Sequence, residues 1–574
     1  MAYSNLSGSY PKPLLNLTNL ESLFLGHNHL EGPISQFSRF GQLKELALRN
    51  NNFNGGLDCL SFNRSWMQLE FLDFSSNSLT GPIPSNITGL QNLQWLLLSL
   101  NHLNGTIPSW IFSLPSRGWG SRKVEGGNHF SGTEVDLRHN QLQGPLPNSV
   151  LNQPNLAFLL LSHNNISGQI ASTICNLKTL VALDLGSNNL EGTIPQCLVE
   201  MNENLWKLDL SNNSLSGTIN TNFSIGNSFR VISLNRNKLT GKIPPSLINC
   251  KHLKLLDLGN NELNDAFPNW LGDLPDLKIL SLRSNKLHGP IKSSGNTNMF
   301  AQLQIMDLSS NGFSGNLPEC LFGNLQAMKE IDESTRTPQY VSDEYALYYD
   351  YLMTITTKGQ HHDSVPILAS NMIIDLSKNR FEGHIPSIIG DLVGLRTLNI
   401  SHNVLEGHIP ASLQNLSVLE SLDLSSNKIS GEIPQQLASL TFLAVLNLSH
   451  NHLVGCIPKG KQFDTFENSS YQGNDGLRGL PPSRDCGRDD RVPQETIPVE
   501  LDQEEEEDSP MISWQAVLIG YGCGLVIGLS VIYIMLSTQY PAWFTRMVVE
   551  LEHKITTRMK KHKKSYKCVV TTRI

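Results

Sequence analysis

One short pattern recurs along most of this chain and constrains its fold more than any other feature. The unit L-x-x-L-x-L-x-x-N-x-L-x-G-x-I-P returns mostly every 24 residues, with two long intervals of 39 and 68. Sixteen in-phase copies predict a repeat array rather than several separate globular cores in 574 residues. The anchoring asparagines are Asn28, Asn51, Asn77, Asn101, Asn140, Asn164, Asn188, Asn213, Asn237, Asn261, Asn285, Asn311, Asn379, Asn403, Asn427 and Asn451.

Each part of the unit has a mechanical interpretation. The alternate leucines of L-x-L point inward from a short strand, while the intervening residues face solvent. The Asn side chain bonds backbone groups where the chain turns, and the Gly permits unusual backbone angles there. No unit buries its leucines alone, so stacked neighbours must share one core. We predict an α/β-type solenoid, a leucine-rich-repeat superhelix with parallel β-strands on its concave face. The G-x-I-P ending resembles the plant-type extracellular subclass.

The two long intervals mark interruptions. Residues 327–370 obey no repeat and hold five tyrosines, which favours a folded island packed on the solenoid over a disordered insertion. Residues 109–133 keep only a remnant of the unit, and a damaged repeat is favoured over a specialised loop. The predicted divisions are repeats 1–326, island 327–370, four repeats 371–458, capping segment 459–500, acidic segment 501–510, membrane span 511–536 and basic tail 537–574.

Residues 511–536 contain no charged side chain and suffice to cross a bilayer. DQEEEED precedes this span and nine Lys or Arg follow Ser537, so the positive-inside rule places the repeats outside the cytoplasm. Gly520, Gly524 and Gly528 share one helix face, which suits close packing by another helix, although glycine is also common in membrane helices. The 38 residues after the span are too few for a kinase domain.

The chain begins in the middle of a unit and shows no signal peptide, so we expect an N-terminally truncated sequence. Cys456 and Cys486 bracket the segment that closes the last repeat, and we predict that they pair. Cys175 and Cys197 lie in adjacent units, and spacing leaves their pairing open. The expected lumenal topology makes N-x-S/T sequons plausible glycan sites. The predicted sites are Asn16, Asn63, Asn86, Asn104, Asn165, Asn212, Asn222, Asn399, Asn415, Asn447 and Asn468.

The C-terminal third carries a specific resemblance, in ISGEIPQQLASL, LNLSHNHLVGCIPKGKQFDTFENSSYQGNDGLRG, DSPMISWQAVLIGYGCGLVIGLSVIYIMLSTQYPAWF and KKHKKSY. The chain resembles the plant receptor-like proteins, specifically the Cf-class leaf-mould resistance proteins of tomato. The resemblance implies a single-pass type I plasma-membrane receptor that perceives a pathogen-derived protein or peptide. It also implies a partner receptor kinase engaged through the membrane helix and a co-receptor kinase at the C-terminal repeats. The chain departs from the pattern at its start, near Trp119 and after Tyr566.

Aromatic and arginine side chains are the usual anchors of interfaces, which gives candidates on the predicted concave face. We expect the earlier repeats to contact the ligand and the more uniform final repeats to dock a partner. The ligand-binding candidates are Trp95, Phe158, Trp206, Arg230, Arg236, Lys254 and Arg283. The island candidates are Tyr340, Tyr345, Tyr348, Tyr349 and Tyr351. The partner-docking candidates are Arg396, Ser401, Asp423 and Ser425.

Enzymatic interpretations have little support in the sequence. The His pairs lack a third ligand at metal spacing, and no nucleophile elbow or phosphate loop is present. The Asp of successive strands forms a row that we expect on a solvated face rather than an acid/base pair. We therefore expect no catalysis, cofactor, metal or nucleic-acid partner. The alternatives are a developmental peptide receptor, an inhibitor of secreted microbial enzymes, against which the membrane span counts, and a decayed copy without function.

Overall fold

The computed structural model divides the chain into two compact units, Met1–Arg488 and Asp489–Ile574. All described residues lie in the first unit. They are residues 2–10, 16–57, 66–85, 90–114, 122–123, 129–130, 133–147, 156–200, 204–219, 222–292, 299–331, 352–357, 360–368 and 370–479.

Parallel strands, one from each repeat, form a sixteen-stranded main sheet. Its strands are β2 (Ser22–Phe24), β4 (Glu45–Ala47), β6 (Phe71–Asp73), β8 (Trp95–Leu97), β12 (Thr133–Asp136), β14 (Leu156–Leu160), β16 (Ala182–Asp184), β18 (Lys207–Asp209), β20 (Val231–Ser233), β22 (Leu255–Asp257), β24 (Ile279–Ser281), β26 (Ile305–Asp307), β30 (Ile373–Asp375), β32 (Thr397–Asn399), β34 (Ser421–Asp423) and β36 (Val445–Asn447). The predicted solenoid of parallel strands is confirmed.

A second set of parallel strands follows the asparagine of each repeat, and we call it the flank ladder. Its eleven-stranded part contains β1 (Ser7–Ser9), β3 (His29–Pro33), β5 (Asn52–Gly55), β7 (Ser78–Pro82), β9 (His102–Gly105), β13 (Gln141–Gly144), β15 (Asn165–Gln169), β17 (Asn189–Gly192), β19 (Ser214–Thr218), β21 (Lys238–Gly241) and β23 (Glu262–Leu263). Two shorter parts contain β25 (His288–Pro290), β27 (Gly312–Asn316) and β31 (Arg380–Glu382), then β33 (Glu406–Gly407), β35 (Lys428–Glu432), β37 (His452–Cys456) and β38 (Gly476–Arg478).

Short helices connect the two sets of strands. The α-helices are α1 (Cys197–Glu200) and α2 (Glu319–Asn324). The 3₁₀ helices are Ile34–Arg39, Ser109–Ser113, Ser172–Asn176, Pro245–Asn249, Asn269–Asp273, Gln326–Lys329, Ser387–Asp391, Ala411–Asn415, Gln435–Ser439, Phe463–Thr465 and Asn468–Ser470. Most of them follow the proline of the repeat, whose fixed φ suits the first residues of a helical turn. Antiparallel hairpins are formed by β10 (Arg122–Lys123) with β11 (His129–Phe130) and by β28 (Leu352–Thr357) with β29 (Gln360–Pro366).

The central residue of each main-sheet strand points into one continuous core. Leu183, Leu208 and Ile232 occupy this position on neighbouring strands and are at most 1% exposed. The repeat asparagine closes each turn behind the strand. Asn188 accepts the N–H of Ile166 at 3.0 Å, and its amide donates to the carbonyls of Leu161, Leu185 and Gly186 at 3.1 Å. The same pattern joins successive asparagines, so the predicted backbone-bonding role is confirmed.

We call the series of repeat asparagines joined by these hydrogen bonds the asparagine ladder. It includes one asparagine beyond the sixteen that the repeat pattern identifies. Asn474, in the predicted capping segment, accepts the N–H of Leu453 at 3.0 Å and donates to Leu448 and Tyr471. Tyr471 is 2% exposed and belongs to the core. The segment after the last repeat therefore covers the end of the core. Its Asn474 makes the same side-chain hydrogen bonds as the asparagines that join the repeats.

The main sheet continues across both interruptions. Glu134 pairs with Trp95 on one side and Phe158 on the other, so β12 bridges the predicted degenerate segment. Asp307 of β26 pairs with Asp375 of β30 across the island. The start of the predicted island, Gln326–Lys329, is a 3₁₀ helix whose Met328 is fully buried in the repeat core. The remaining predicted divisions stay predictions.

The structure describes one of the two candidate cysteine pairs completely and the other only in part. Cys175 and Cys197, on adjacent repeats, form a disulfide with a Cα–Cα distance of 5.8 Å, a pairing that spacing alone leaves open. Cys456 is also disulfide-bonded, but its predicted partner Cys486 lies outside the described residues. The predicted membrane span 511–536, with Gly520, Gly524 and Gly528, lies outside them as well. Over the ranges that are described, no helix has the length and apolar character needed to cross a bilayer.

Candidate ligand-binding face

Two rows of side chains flank the inward residue on the main sheet, and strand register fixes which residues are neighbours. The leading row precedes the inward residue: Ser22, Glu45, Phe71, Trp95, Glu134, Phe158, Ala182, Lys207, Val231, Leu255, Ile279, Ile305, Ile373, Thr397, Ser421 and Val445. The trailing row follows it: Phe24, Ala47, Asp73, Leu97, Asp136, Leu160, Asp184, Asp209, Ser233, Asp257, Ser281, Asp307, Asp375, Asn399, Asp423 and Asn447.

The leading row is apolar through its middle. From Val231 to Ile373 its side chains are at most 4% exposed and form a hydrophobic cluster separate from the repeat core. Ile367, which directly follows strand β29 of the hairpin, is 1% exposed and belongs to this cluster. This contact places the end of the predicted island segment against the strand face. Sequence reasoning missed the contact, because Ile367 has no position in the repeat.

The trailing row is a line of carboxylates that is buried rather than solvated, so the expectation of a solvated face is wrong. Asp73, Asp257 and Asp307 are 3–5% exposed. Each carboxylate accepts the backbone N–H two residues later, as Asp307 does from Ser309 at 3.1 Å. Ser309 also donates its hydroxyl to Asp307 at 2.6 Å. The carboxylates therefore bind backbone N–H groups just after each strand. This structural role is enough to account for their regular occurrence in the repeats.

Neighbouring carboxylates are balanced in different ways along the row. Asp184 and Asp209 are adjacent, and Lys207 pairs with Asp184 at 3.2 Å. Burial acts to raise the pKa of Asp184, but the Lys207 ammonium and the Arg138 guanidinium outweigh it, so the pKa is lowered. Burial and the charge of Asp184 raise the pKa of Asp209 to about 6. Lys207 therefore acts on both neighbouring carboxylates, and Asp184 holds its negative charge more readily than Asp209.

In the last four repeats the trailing row alternates Asp and Asn, so two carboxylates of these repeats never lie on adjacent strands. Asn399 donates its side-chain N–H to Asp375, and Asn447 donates to Asp423, both at 3.4 Å. No carboxylate of this stretch has another at the same position on the next strand, except where Asp375 meets Asp307. The final strands therefore present a more uniform and less charged surface than the earlier strands.

The seven ligand-binding candidates fall on several different rows. Trp95 and Phe158 lie in the leading row, and Trp95 packs against Phe71 at a ring-centroid distance of 6.4 Å. Trp206, Arg230 and Lys254 lie one residue before it, and their carbonyls accept N–H groups of the following repeat. Phe158 and Trp206 are buried in the apolar cluster, while Trp95, Arg230 and Lys254 are half-buried.

The two remaining arginine candidates follow the strands. Arg236 is exposed and takes φ +52° at the turn before the repeat asparagine, so it lies at the edge of the face. Arg283 lies two residues after β24, with its Nη1 3.7 Å from Oδ2 of Asp307. The carbon of a side chain on Gly259 would come within 2.7 Å of Arg283 Cγ, so this glycine makes room for the arginine.

The partner-docking candidates in the final repeats are largely engaged within the repeats. Ser401 and Ser425 are 4% and 2% exposed and donate to Asn399 and Asp423. Arg396 donates to the Ser370 carbonyl and pairs with Glu420 at 2.6 Å. Arg396 and Asp423 are the two charged residues among these four, and both are half-buried.

Several other candidate residues lie outside the described part of the chain, and the rest differ in exposure. The tyrosines Tyr340, Tyr345, Tyr348, Tyr349 and Tyr351, and the sequons at Asn63 and Asn86, lie outside the described residues. Asn399 and Asn447 are half-buried in the trailing row. The remaining predicted glycan sites are exposed: Asn16, Asn104, Asn165, Asn212, Asn222, Asn415 and Asn468. Across the described part of the chain, no group of three or more His, Cys, Asp or Glu converges to hold a metal ion.

Sequence reasoning missed one further feature near this face. His139 and His163 occupy the left-handed turn position of adjacent repeats, at φ +52° and +58°, and their rings stack at 4.1 Å. Burial lowers the pKa of both imidazoles, and the charge of Arg138 lowers both further. The only signal in the sequence was that both precede the repeat asparagine in S-H-N or R-H-N.

Family profiles described as "Leucine rich repeat" match residues 227–287 and 372–429, and further single repeats match at 68–90, 92–114, 155–177, 204–224 and 302–324. The chain is 75% identical over 539 residues to "Receptor-like protein Cf-9 homolog" from Solanum lycopersicum, covering 92% of this chain and 63% of that protein. It is 74% identical to "Receptor-like protein 9DC3" from Solanum pimpinellifolium, covering 98% of this chain and 68% of that protein.

Solved structures with the same fold include ectodomains of plant receptor kinases. The ectodomain of GASSHO1/SCHENGEN3 from Arabidopsis thaliana, in complex with CASPARIAN STRIP INTEGRITY FACTOR 2, superposes with a TM-score of 0.63 at 30% identity, over 84% of this chain and 53% of that one. The Arabidopsis receptor kinase HAESA, in complex with the peptide hormone IDA and the co-receptor SERK1, gives 0.56 at 27% identity, over 84% of this chain and 78% of that one.

Proposed function

Since the chain belongs to the leucine-rich-repeat receptor-like proteins, we propose that it is a non-enzymatic cell-surface receptor for a pathogen-derived protein or peptide. The observation that carries the proposal is the 74–75% identity to Cf-9-type receptor-like proteins over more than nine-tenths of the chain. The chain spans 63% of the first of those relatives and 68% of the second. The strand face supports a recognition role, since unlike side chains vary from repeat to repeat on a rigid sheet.

The ligand contacts the side chains that remain accessible beside the leading row. Trp95, Arg230 and Lys254 are half-buried, and aromatic and arginine side chains contribute most strongly to interfaces when neighbouring groups exclude water. Arg236 adds an exposed cation at the edge of the face. Phe158 and Trp206 shape this surface from within the apolar cluster. The island tyrosines are further candidate contacts in this proposal.

Signalling passes through partner proteins in this proposal. A co-receptor kinase docks on the final four repeats, where Arg396 and Asp423 are the charged candidates. A partner receptor kinase packs against Gly520, Gly524 and Gly528 of the membrane helix. Support comes from the solved neighbour HAESA, which is bound to both a peptide hormone and the co-receptor SERK1. The protein is then a single-pass type I plasma-membrane glycoprotein with extracellular repeats.

A second candidate function is perception of an endogenous developmental peptide. It is favoured by the solved neighbours, whose ligands include a peptide hormone. The two candidates differ in where the ligand is found, in infected tissue alone or in healthy tissue as well.

The experiment is an ion-leakage assay on leaves that express the tagged chain. The probe is intercellular fluid from leaf-mould-infected tomato leaves, and fluid from uninfected leaves is the matched control. Deglycosylation of the tagged chain first checks that the repeats reach the secretory lumen. We expect leakage with infected fluid alone. Equal leakage with both fluids would favour the developmental peptide, and leakage with neither would contradict the defence receptor.

A further inference from the structure

One repeat differs from all others at the glycine of the unit. Fifteen of the sixteen copies carry Gly four residues after the repeat asparagine, and the copy anchored at Asn261 carries Asp265. The neighbouring glycines Gly241 and Gly289 have φ values of +83° and +80°, a region that residues with a side chain rarely adopt. Asp265 does not adopt it.

The eleven-stranded part of the flank ladder ends at this position. Strand β23 has only two residues and is the last of the eleven-stranded part, and β25 begins a new part. The Asp265 carboxylate instead accepts the N–H of Ile243 at 3.3 Å and of Ala266 at 2.9 Å. Its carbonyl accepts the His288 N–H at 3.0 Å. The chain therefore takes a different path here, held by the aspartate itself.

A groove of about 760 Å³ opens at this break and crosses three successive repeats. Its polar lining includes Lys242, Glu262, Asn264, Asp265, Lys286 and His288. The lining holds no aromatic ring apart from the imidazole of His288. The groove lies on the flank ladder rather than on the strand face, so a ligand bound there is independent of the proposed function.

Each acidic group of the groove already has partners within the protein, whereas one lysine has no ion-pair partner among the described residues. Backbone N–H groups hold the Asp265 carboxylate, and Lys286 pairs with Glu262 at 2.8 Å. That pair lowers the pKa of Glu262, first through the hydrogen bond and then through charge. Lys242 is exposed and has no ion-pair partner among the described residues, and His288, also exposed, lines the same groove two repeats further on. The ionic group left for an anionic ligand is therefore the Lys242 ammonium.

We propose that this groove binds the carboxylates of an acidic, extended peptide segment, with Lys242 as the principal contact. Asn264 and Thr240 supply neutral hydrogen bonds beside it. We favour a peptide over an acidic sugar, because the lining holds no Phe, Tyr or Trp ring on which a pyranose could stack. The open, solvated lysine predicts modest, salt-sensitive affinity.

The test measures fluorescence polarisation of a fluorescein-labelled tetraglutamate amide with the purified full chain at low salt. Tetraglutamate presents carboxylates on both sides of an extended chain, so the register need not be known. We expect saturable binding that falls at least about fivefold in Lys242→Glu. Asp265→Gly restores the repeat glycine and should extend the ladder and close the groove. It should lose binding to a similar degree while its Tm is unchanged or higher.

Lys428→Glu is the matched control, since Lys428 is an exposed lysine of β35 in a repeat that keeps its glycine. Its affinity should stay within about twofold of the parent. Non-saturable polarisation, or equal affinity in Lys242→Glu, would overturn the proposal. An equal loss in Lys428→Glu would reduce it to general charge attraction. Tighter competition by tetragalacturonate than by unlabelled tetraglutamate would replace the peptide with an acidic sugar.

Discussion

Asp307 and Asp375 are 68 residues apart in sequence, yet they occupy the same position on adjacent strands. Both are buried, at 5% and 6% exposure, and the nearest cation is Arg283, 3.7 Å from Asp307. Burial and the charge of Asp307 raise the pKa of Asp375 to about 7, while Ser377 and Arg283 act in the opposite direction. Strands β26 and β30, which lie on either side of the island in sequence, thus place two buried acids next to each other in the main sheet.

This pair should make stability depend on pH. Because the folded-state pKa of Asp375 is above the unfolded value, the folded protein binds the extra proton. The stabilisation is therefore full at low pH and lost as pH rises toward 7. Asp375→Asn should increase the free energy of unfolding at pH 8 by on the order of 1–2 kcal/mol and change it little at pH 4.5. Denaturant unfolding at both pH values measures this.

Asp423→Asn provides the control, since Asp423 lies in the same row but has Asn399 and Asn447 on its neighbouring strands. It should show no comparable gain at pH 8. An equal gain would show that the effect belongs to the row and not to the pair.

The stacked histidines His139 and His163 should give the opposite pH dependence, with lower stability at acidic pH. The pKa of His163 is lowered by burial and by Arg138, with Asp184 opposing, so the folded state favours the neutral ring. Stability is then present above pH 6.5 and is lost as pH falls toward 5. His163→Ser, matching Ser187 at the same turn position of the next repeat, should reduce the difference in Tm between pH 7.5 and pH 5.0. An unchanged difference would show that the pair does not titrate in this range.

The asparagine ladder should contribute strongly to stability. Asn188→Ala leaves the Ile166 N–H and carbonyls of Leu161, Leu185 and Gly186 without their side-chain partner. We expect a loss of about 2–4 kcal/mol of unfolding free energy. Asn189 is adjacent but exposed, and Asn189→Ala should cost less than about 0.5 kcal/mol. Similar values for the two variants in urea unfolding would refute a structural role for the amide.

The hairpin β28–β29 should depend on Ile367 for its attachment to the strand face. A buried charge at this position has no partner in the apolar cluster, so Ile367→Asp should detach the end of the hairpin. Amide hydrogen exchange in residues 352–366 should accelerate at least about tenfold while β32–β36 remains unchanged. Ile367→Val is the conservative control and should keep exchange close to the parent. Unchanged exchange in Ile367→Asp would contradict the attachment.

The sequence predicted the parts of the fold that depend on one repeat at a time. The period located the inward leucines, the repeat asparagines and the turn glycines, since each acts within its own unit or on the next. Asn474 was missed because SSYQGN has no L-x-L before it, although the folded chain brings it into the same ladder. Cys175 and Cys197 were noticed but left open, because pairing depends on Cβ directions that spacing does not give.

Properties of the candidate face were less predictable because they depend on neighbours from several repeats. The aspartates were expected on a solvated face, yet packing between rows buries them. Phe158 and Trp206 were expected as contact residues, but the apolar cluster that covers them includes Ile367 from outside the repeat pattern. Ser401 and Ser425 looked free in the sequence, while Asn399 and Asp423 two residues earlier accept their hydroxyls.

The central claim is that the accessible side chains beside the leading row recognise the ligand. The most direct measurement is ion leakage induced by infected-leaf fluid in leaves expressing the combined variant Trp95→Ala, Arg230→Glu and Lys254→Glu. The matched variant Tyr3→Ala, Lys238→Glu and Lys251→Glu makes the same kinds of change at exposed positions away from the main-sheet strands. With equal surface abundance, we predict loss of leakage in the first and a parent-like response in the second. A parent-like response in the first variant would contradict the claim.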